Sequence, residues 1–200
     1  MTNVFSYNEE SAIRAGGSDF VSEGGAHVCT IEQAKWIKAN SGSKGLELSV
    51  KTQNGQKANY LSMYFQKADG TEIKSGMSCI NAIMFFLKLG NLSMQQQSMP
   101  SGVENICPEL TGKTIGLFLQ KVLYTKNNGG DGYRFDIRAP YNAADMRTVK
   151  EIKENKPAQT IQNWVNSYSD KDDRNQGGGS HDYGQPPANQ FPDDDIPGWD

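Results

Sequence analysis

Aromatic rings and cations recur together along this 200-residue chain. Lys51, Lys57, Tyr60, Tyr64 and Lys67 fall in one stretch, Lys121, Tyr124, Arg134 and Arg138 in another, and Lys35, Trp36 and Lys38 precede both. Such rings stack on the flat faces of unpaired bases while the cations meet the phosphates between them, at about 1–3 kcal/mol per stacked base. Each residue alone also fits ordinary packing or a solvated surface. Their combination points to a single-stranded nucleic acid, DNA above all, with duplex DNA as a further candidate ligand.

Catalytic chemistry finds less support. Gly112-Lys113-Thr114 ends like a phosphate-binding loop, but Cys107 stands where that loop needs glycine, and an apolar strand follows instead of a helix. The only histidines are His27, inside a strand-like run, and His181. Cys29, Cys79 and Cys107 are odd in number and widely spaced, which fits buried thiols in a reducing compartment. Asp193-Asp194-Asp195 lacks a second ligand set and would hold a cation weakly. The expectation is therefore a chain that is not an enzyme and uses neither cofactor nor metal.

The elements that must position the rings and cations follow from periodicity. Ala26–Ile31 reads as a first strand, with Lys35, Trp36 and Lys38 in the connection after it. Lys44–Gln53 alternates Leu46, Leu48 and Val50 with Glu47, Ser49 and Lys51, the period of a half-buried strand. Asn54-Gly55 predicts a tight type I′ turn. Gln56–Gln66 returns with Leu61, Met63 and Phe65 on one face and Tyr60, Ser62 and Tyr64 on the other. Ser78–Leu89 has helical spacing, with Ser78 as N-cap and Gly90 as stop. A polar loop through Gln95-Gln96-Gln97 and Pro100 then leads to strands at Thr114–Thr125 and Tyr133–Ala139, followed by short helices at Thr148–Lys156 and Thr160–Val165. This order predicts a mainly β fold: a five-stranded barrel with one helix between strands three and four, the OB arrangement. Its rival is an open antiparallel sheet with a helix packed on one face.

Charge divides the chain. The net charge of −3 combines a body of 165 residues at +3 with a tail from Asn166 to Asp200 that carries eight acidic and two basic groups, −6. Setting aside residues 1–24 as an N-terminal arm leaves +6 on residues 25–165, the expected nucleic-acid-binding domain. The tail is poor in apolar residues and rich in Gly, Gln and Pro, so residues 166–200 are expected to be disordered. The longest apolar stretch, Ile80–Leu89, is far below the ~20 residues that cross a bilayer, and Met1–Glu10 shows no secretory pattern. A cytoplasmic protein without a membrane partner is expected.

The tail end, Phe191-Pro192-Asp193-Asp194-Asp195-Ile196-Pro197-Gly198-Trp199-Asp200, resembles the acidic tip of bacterial single-stranded DNA-binding proteins, Asp-Asp-Asp-Ile-Pro-Phe. Trp199 stands near the place of the missing final phenylalanine. Gly45-Leu46-Glu47-Leu48 and Leu110-Thr111-Gly112-Lys113 look more like phage-encoded single-stranded DNA-binding proteins of OB fold. The resemblance implies a protein that coats single strands during DNA replication or recombination in a bacterial host cytoplasm. It also implies that Phe191, Asp193, Asp194, Asp195, Ile196, Pro197 and Trp199 dock replication or recombination proteins. An adaptor acting through the tail alone, with no nucleic-acid ligand, is the alternative.

Overall fold

Alternating apolar and polar residues set most of the strands in the computed structural model, which describes residues 6–7, 19–99, 102–126 and 128–174. Strand β2 (Lys44–Thr52) and strand β3 (Lys57–Gln66) pair antiparallel. Leu46, Leu48, Val50, Leu61 and Met63 turn to the core, each side chain worth about 1.5–3 kcal/mol when removed from water. Their connection differs from the predicted turn. Only Gly55 has a positive φ, +82°, and its N–H donates to the Thr52 carbonyl, so Gln53, Asn54 and Gly55 form a three-residue loop.

Strand β1 runs from Gly25 to Lys38, well past the expected end at Ile31. A bulge between Ile31 and Gln33 resets the alternation, so that Cys29, Ile31 and then Ala34 face inward. The extra residue hides the continuing strand from a period-two reading, and Lys35, Trp36 and Lys38 lie in β1 instead of a connection. Bulges also bend the strand they occupy. On one edge β1 pairs with β2 from Cys29 to Lys38. On the other it pairs first with β6 (Thr114–Thr125), then with β5 (Gly102–Ile106) at Lys35.

Helix α1 (Lys74–Leu87) begins earlier than predicted, with Ile73 rather than Ser78 at its N-cap, and ends at Lys88 in the left-handed region rather than at Gly90. Gly76, Cys79, Ile80 and Ile83 form its buried stripe. Gly76 is required there: a Cβ would lie 1.8 Å from the carbonyl oxygen of Tyr64. The predicted polar loop after α1 is a hairpin of β4 (Gln95–Met99) and β5. Beyond β7 (Asp131–Tyr141) come α2 (Val149–Lys153), α3 (Thr160–Asn166) and the two-residue β8 (Lys171–Asp172), which adds parallel to β6.

The result is a mainly β, eight-stranded sheet with the path β3-β2-β1-β5-β4 and β6 joining β1, β7 and β8. It is open, as in the rival reading. β3 and β7 approach each other, and α1 touches both, but no ladder joins them among the described residues. Ile31, Leu48, Leu61, Ile83, Leu110, Leu117 and Leu119 fill the main core, while Phe118, Tyr141 and Ile161 form a second core on the other side of β6. Packed structure reaches Arg174, beyond the expected boundary at Asn166. Among the described residues no helix is long and apolar enough to cross a membrane.

Candidate nucleic-acid interface

Residues opposite each other in register share a face, and the outer face of β1, β2 and β3 can be read row by row. Ile37, Gly45 and Tyr64 form one row; Lys35, Glu47 and Ser62 the next; Thr30, Lys51 and Lys57 lie at the far end. From Gly45 to Lys51 the face runs about 20 Å, at about 3.3 Å per residue. The Tyr64 ring lies against Gly45 and Ile37: a Cβ on Gly45 would meet Tyr64 Cδ1 at 3.0 Å and Ile37 Cγ1 at 3.1 Å. Burial pushes the Tyr64 hydroxyl pKa up, and nearby Glu47 adds to this.

Tyr60 sits at a second bulge. Leu48 pairs with Leu61 and Val50 with Ala58, so Asn59 and Tyr60 together oppose Ser49. The bulge holds Tyr60 at φ +62°, and its side chain is 74% exposed. Left-handed backbone at a bulky residue costs of order 1–3 kcal/mol and persists only where the surroundings impose it. The strained residue is thus also a ring presented to water.

Charge on this face is balanced. Lys35 Nζ lies 3.1 Å from Glu47 and 3.9 Å from Glu104, and Lys57 lies 3.5 Å from Glu32. Gln33 donates to Glu104 across 2.8 Å, tying β5 to β1. Burial alone would lower the Lys35 pKa, but Glu47 and Glu104 outweigh it and raise it. At the rim Lys38 pairs in register with Lys44 and Lys44 with Gln66, next to Lys67, whose charge adds to the Thr71 hydrogen bonds that lower the Asp69 pKa. All three lysines are exposed.

The second predicted group lies elsewhere, under the C-terminal segment. Lys121 is 3.6 Å from Asp170 and 5.0 Å from the Tyr133 ring centre. Arg134 meets Asp136 at 3.4 Å and Asp173 at 3.5 Å and stands 6.0 Å over the Tyr124 ring. Arg138 lies 4.2 Å over Trp164, which itself packs edge-on against Phe118. Tyr168 accepts from the Lys121 N–H and donates to Asp170. Burial raises the pKa of Asp136 against the pull of Arg134.

The structure therefore brings Lys35, Lys51, Lys57, Tyr60 and Tyr64 together, with Lys38 and Lys67 at the rim. It places Lys121, Tyr124, Arg134 and Arg138 on β6 and β7 among carboxylates and rings. Trp36 belongs to neither group: it packs edge-on against Phe65, and its indole N–H donates to the Ser93 carbonyl. Phe191, Asp193, Asp194, Asp195, Ile196, Pro197 and Trp199 lie outside the described residues. Sequence reasoning missed Lys44, whose place opposite Lys38 shows only once β1 is extended, and Glu104, which arrives with the unforeseen hairpin. Cys29, Cys79 and Cys107 are buried free thiols. No cluster of His, Cys, Asp and Glu able to hold a metal occurs among the described residues. No protein-family model matches the chain, and no curated protein is found to match it.

Proposed function

We propose that this chain binds and coats single-stranded DNA, with little sequence preference and without catalysis, during replication or recombination. The exposed, backbone-strained Tyr60 is the observation that carries this reading. A ring held in water at an energetic cost suits a base-stacking platform, with Tyr64 as the second ring and the Lys38, Lys44 and Lys67 rim meeting phosphates. The finer fold that goes with it is an OB core of β1, β2, β3, β6 and β7, opened between β3 and β7 and extended by the β4–β5 hairpin. In this reading the chain resembles phage-encoded members of the single-stranded DNA-binding class and works in a bacterial host cytoplasm. Its tail docks replication or recombination proteins and competes weakly for the binding face.

Fluorescence anisotropy with single- and double-stranded oligonucleotides across a salt series tests the proposal. Single strands should bind more tightly, with log affinity falling against log salt by about 0.7 per phosphate contacted. Ending the chain after Arg174, which spares β8, should tighten binding at low salt. Equal or weaker affinity there would remove the competition. The adaptor reading draws support from the ion pairs that occupy Lys35, Lys57, Lys121 and Arg134. Absence of single-strand binding at ~50 mM salt, where counterion release favours it most, would favour the adaptor.

A further inference from the structure

The β4–β5 hairpin is an arm wet on both sides. Gln95, Gln96, Gln97 and Ser98 are all exposed, Met94 and Val103 beside them are 62% and 67% exposed, and no described residue pairs with the far edge of β4. A free strand edge is a template for another strand, and natural edges are blunted by lysine, proline or a bulge. From Gln95 to Ser98 this edge carries no charge, no proline and no register shift.

Its hydrogen-bonding register can be followed from β1. The Cys107 N–H donates to the Ala34 carbonyl across 2.8 Å, flanking the Lys35–Ile106 pair, so Ile106 turns its own backbone groups toward β4. Ile106 pairs with Gln95 and Glu104 with Gln97, and these residues use their backbone groups within the hairpin. Gln96 and Ser98 therefore present their N–H and C=O groups to the edge of β4 that faces away from β5, which no described residue pairs with.

We infer that β4 pairs antiparallel with β4 of a second copy of this chain, about a two-fold axis at Gln97. In that register each Gln96 meets the other copy's Ser98 in a fully hydrogen-bonded pair. The two Gln97 residues face each other as the close, non-bonded pair between them, with Cα atoms about 4.5 Å apart. No like charges oppose each other along Gln95–Ser98, and the two-fold axis is perpendicular to the sheet. The path β3-β2-β1-β5-β4 then continues into its copy, with the Tyr60 and Tyr64 faces of both chains on the same side. The pairing does not depend on the proposed ligand.

Sedimentation velocity of the full chain over about a hundredfold concentration range should show a monomer giving way to a dimer. Gln97→Cys should form a disulfide-linked dimer on mild oxidation without a lower melting temperature, because the close pair is within disulfide reach and the native thiols are buried. Ser98→Cys should not link to itself, since the two Ser98 residues stand beyond the ~7 Å limit for a disulfide. Gln97→Lys should sediment as a monomer with an unchanged far-ultraviolet spectrum. A wild-type monomer throughout, or Ser98→Cys linking as readily as Gln97→Cys, would overturn the pairing.

Discussion

The outer faces of the two halves of the sheet carry similar side chains but meet different surroundings. On β1, β2 and β3, Tyr60 is exposed, Tyr64 is half-buried, and the ion pairs of Lys35 and Lys57 lie near them among the described residues. On β6 and β7, Arg138 lies under Trp164, Arg134 reaches Asp173 and Lys121 reaches Asp170, because the chain after β7 folds back over them. A cation beside a ring is thus a structural element in one half and a candidate ligand contact in the other. What separates them is whether another part of the chain has already taken the partner's place.

The largest effect that would sharpen this contrast is expected at Trp164. Trp164→Ala removes the ring between Phe118 and Arg138 and should cost about 3 kcal/mol of stability. Single-strand affinity at temperatures below the melt should stay within twofold. A large loss of affinity without loss of stability would place the ligand on the β6–β7 face instead.

Glu151 tests how the covering segment is held. Its carboxylate forms a capping box with Thr148 and accepts from the N–H groups of Gln159 and Thr160 at the start of α3. Burial alone would raise its pKa, but these backbone bonds together bring it down to about 2. Since the folded pKa is depressed, its contribution is complete above the unfolded value of about 4.3. It is lost as pH falls toward 2. Glu151→Gln should cost about 1–2 kcal/mol at neutral pH. The gap to wild type, read from urea melts at a series of pH values, should close below about pH 4. A gap that persists at pH 2 would contradict the assignment.

Smaller changes are expected at the rim and at Tyr60 itself. Replacing Lys44 by Gln should reduce the salt slope of binding by about 0.7 if it meets one phosphate, whereas Arg134→Gln should leave the slope unchanged. Tyr60→Gly should raise stability by about 0.5–1 kcal/mol, because glycine adopts positive φ without the clash a side chain brings. A lower melting temperature would mean that the ring packs.

How much of this could be read in the sequence depended on burial. β2 and β3 announced themselves because one face of each is apolar, with Leu46, Leu48 and Val50 alternating cleanly, and β6 because it is apolar on both faces, between the two cores. The β4–β5 hairpin buries almost nothing, so Gln95–Met99 carried no periodic signal. β8 consists of Lys171 and Asp172 and joins β6 through backbone bonds, which side-chain types do not encode. The Tyr60 and Tyr64 face was legible in the alternation of β3, but the positive φ at Tyr60 was not, since a bulge depends on register with β2. Ion pairing of Lys35 with Glu104 was hidden for the same reason: it needs the arm to dock on β1.

The central claim is that Tyr60 is exposed for binding, and affinity with melting temperature on one variant tests it most directly. Tyr60→Ala should weaken single-strand binding about 5- to 100-fold, the loss of about 1–3 kcal/mol of stacking, with a melting temperature equal to or above wild type. Unchanged affinity together with a lower melting temperature would contradict the account.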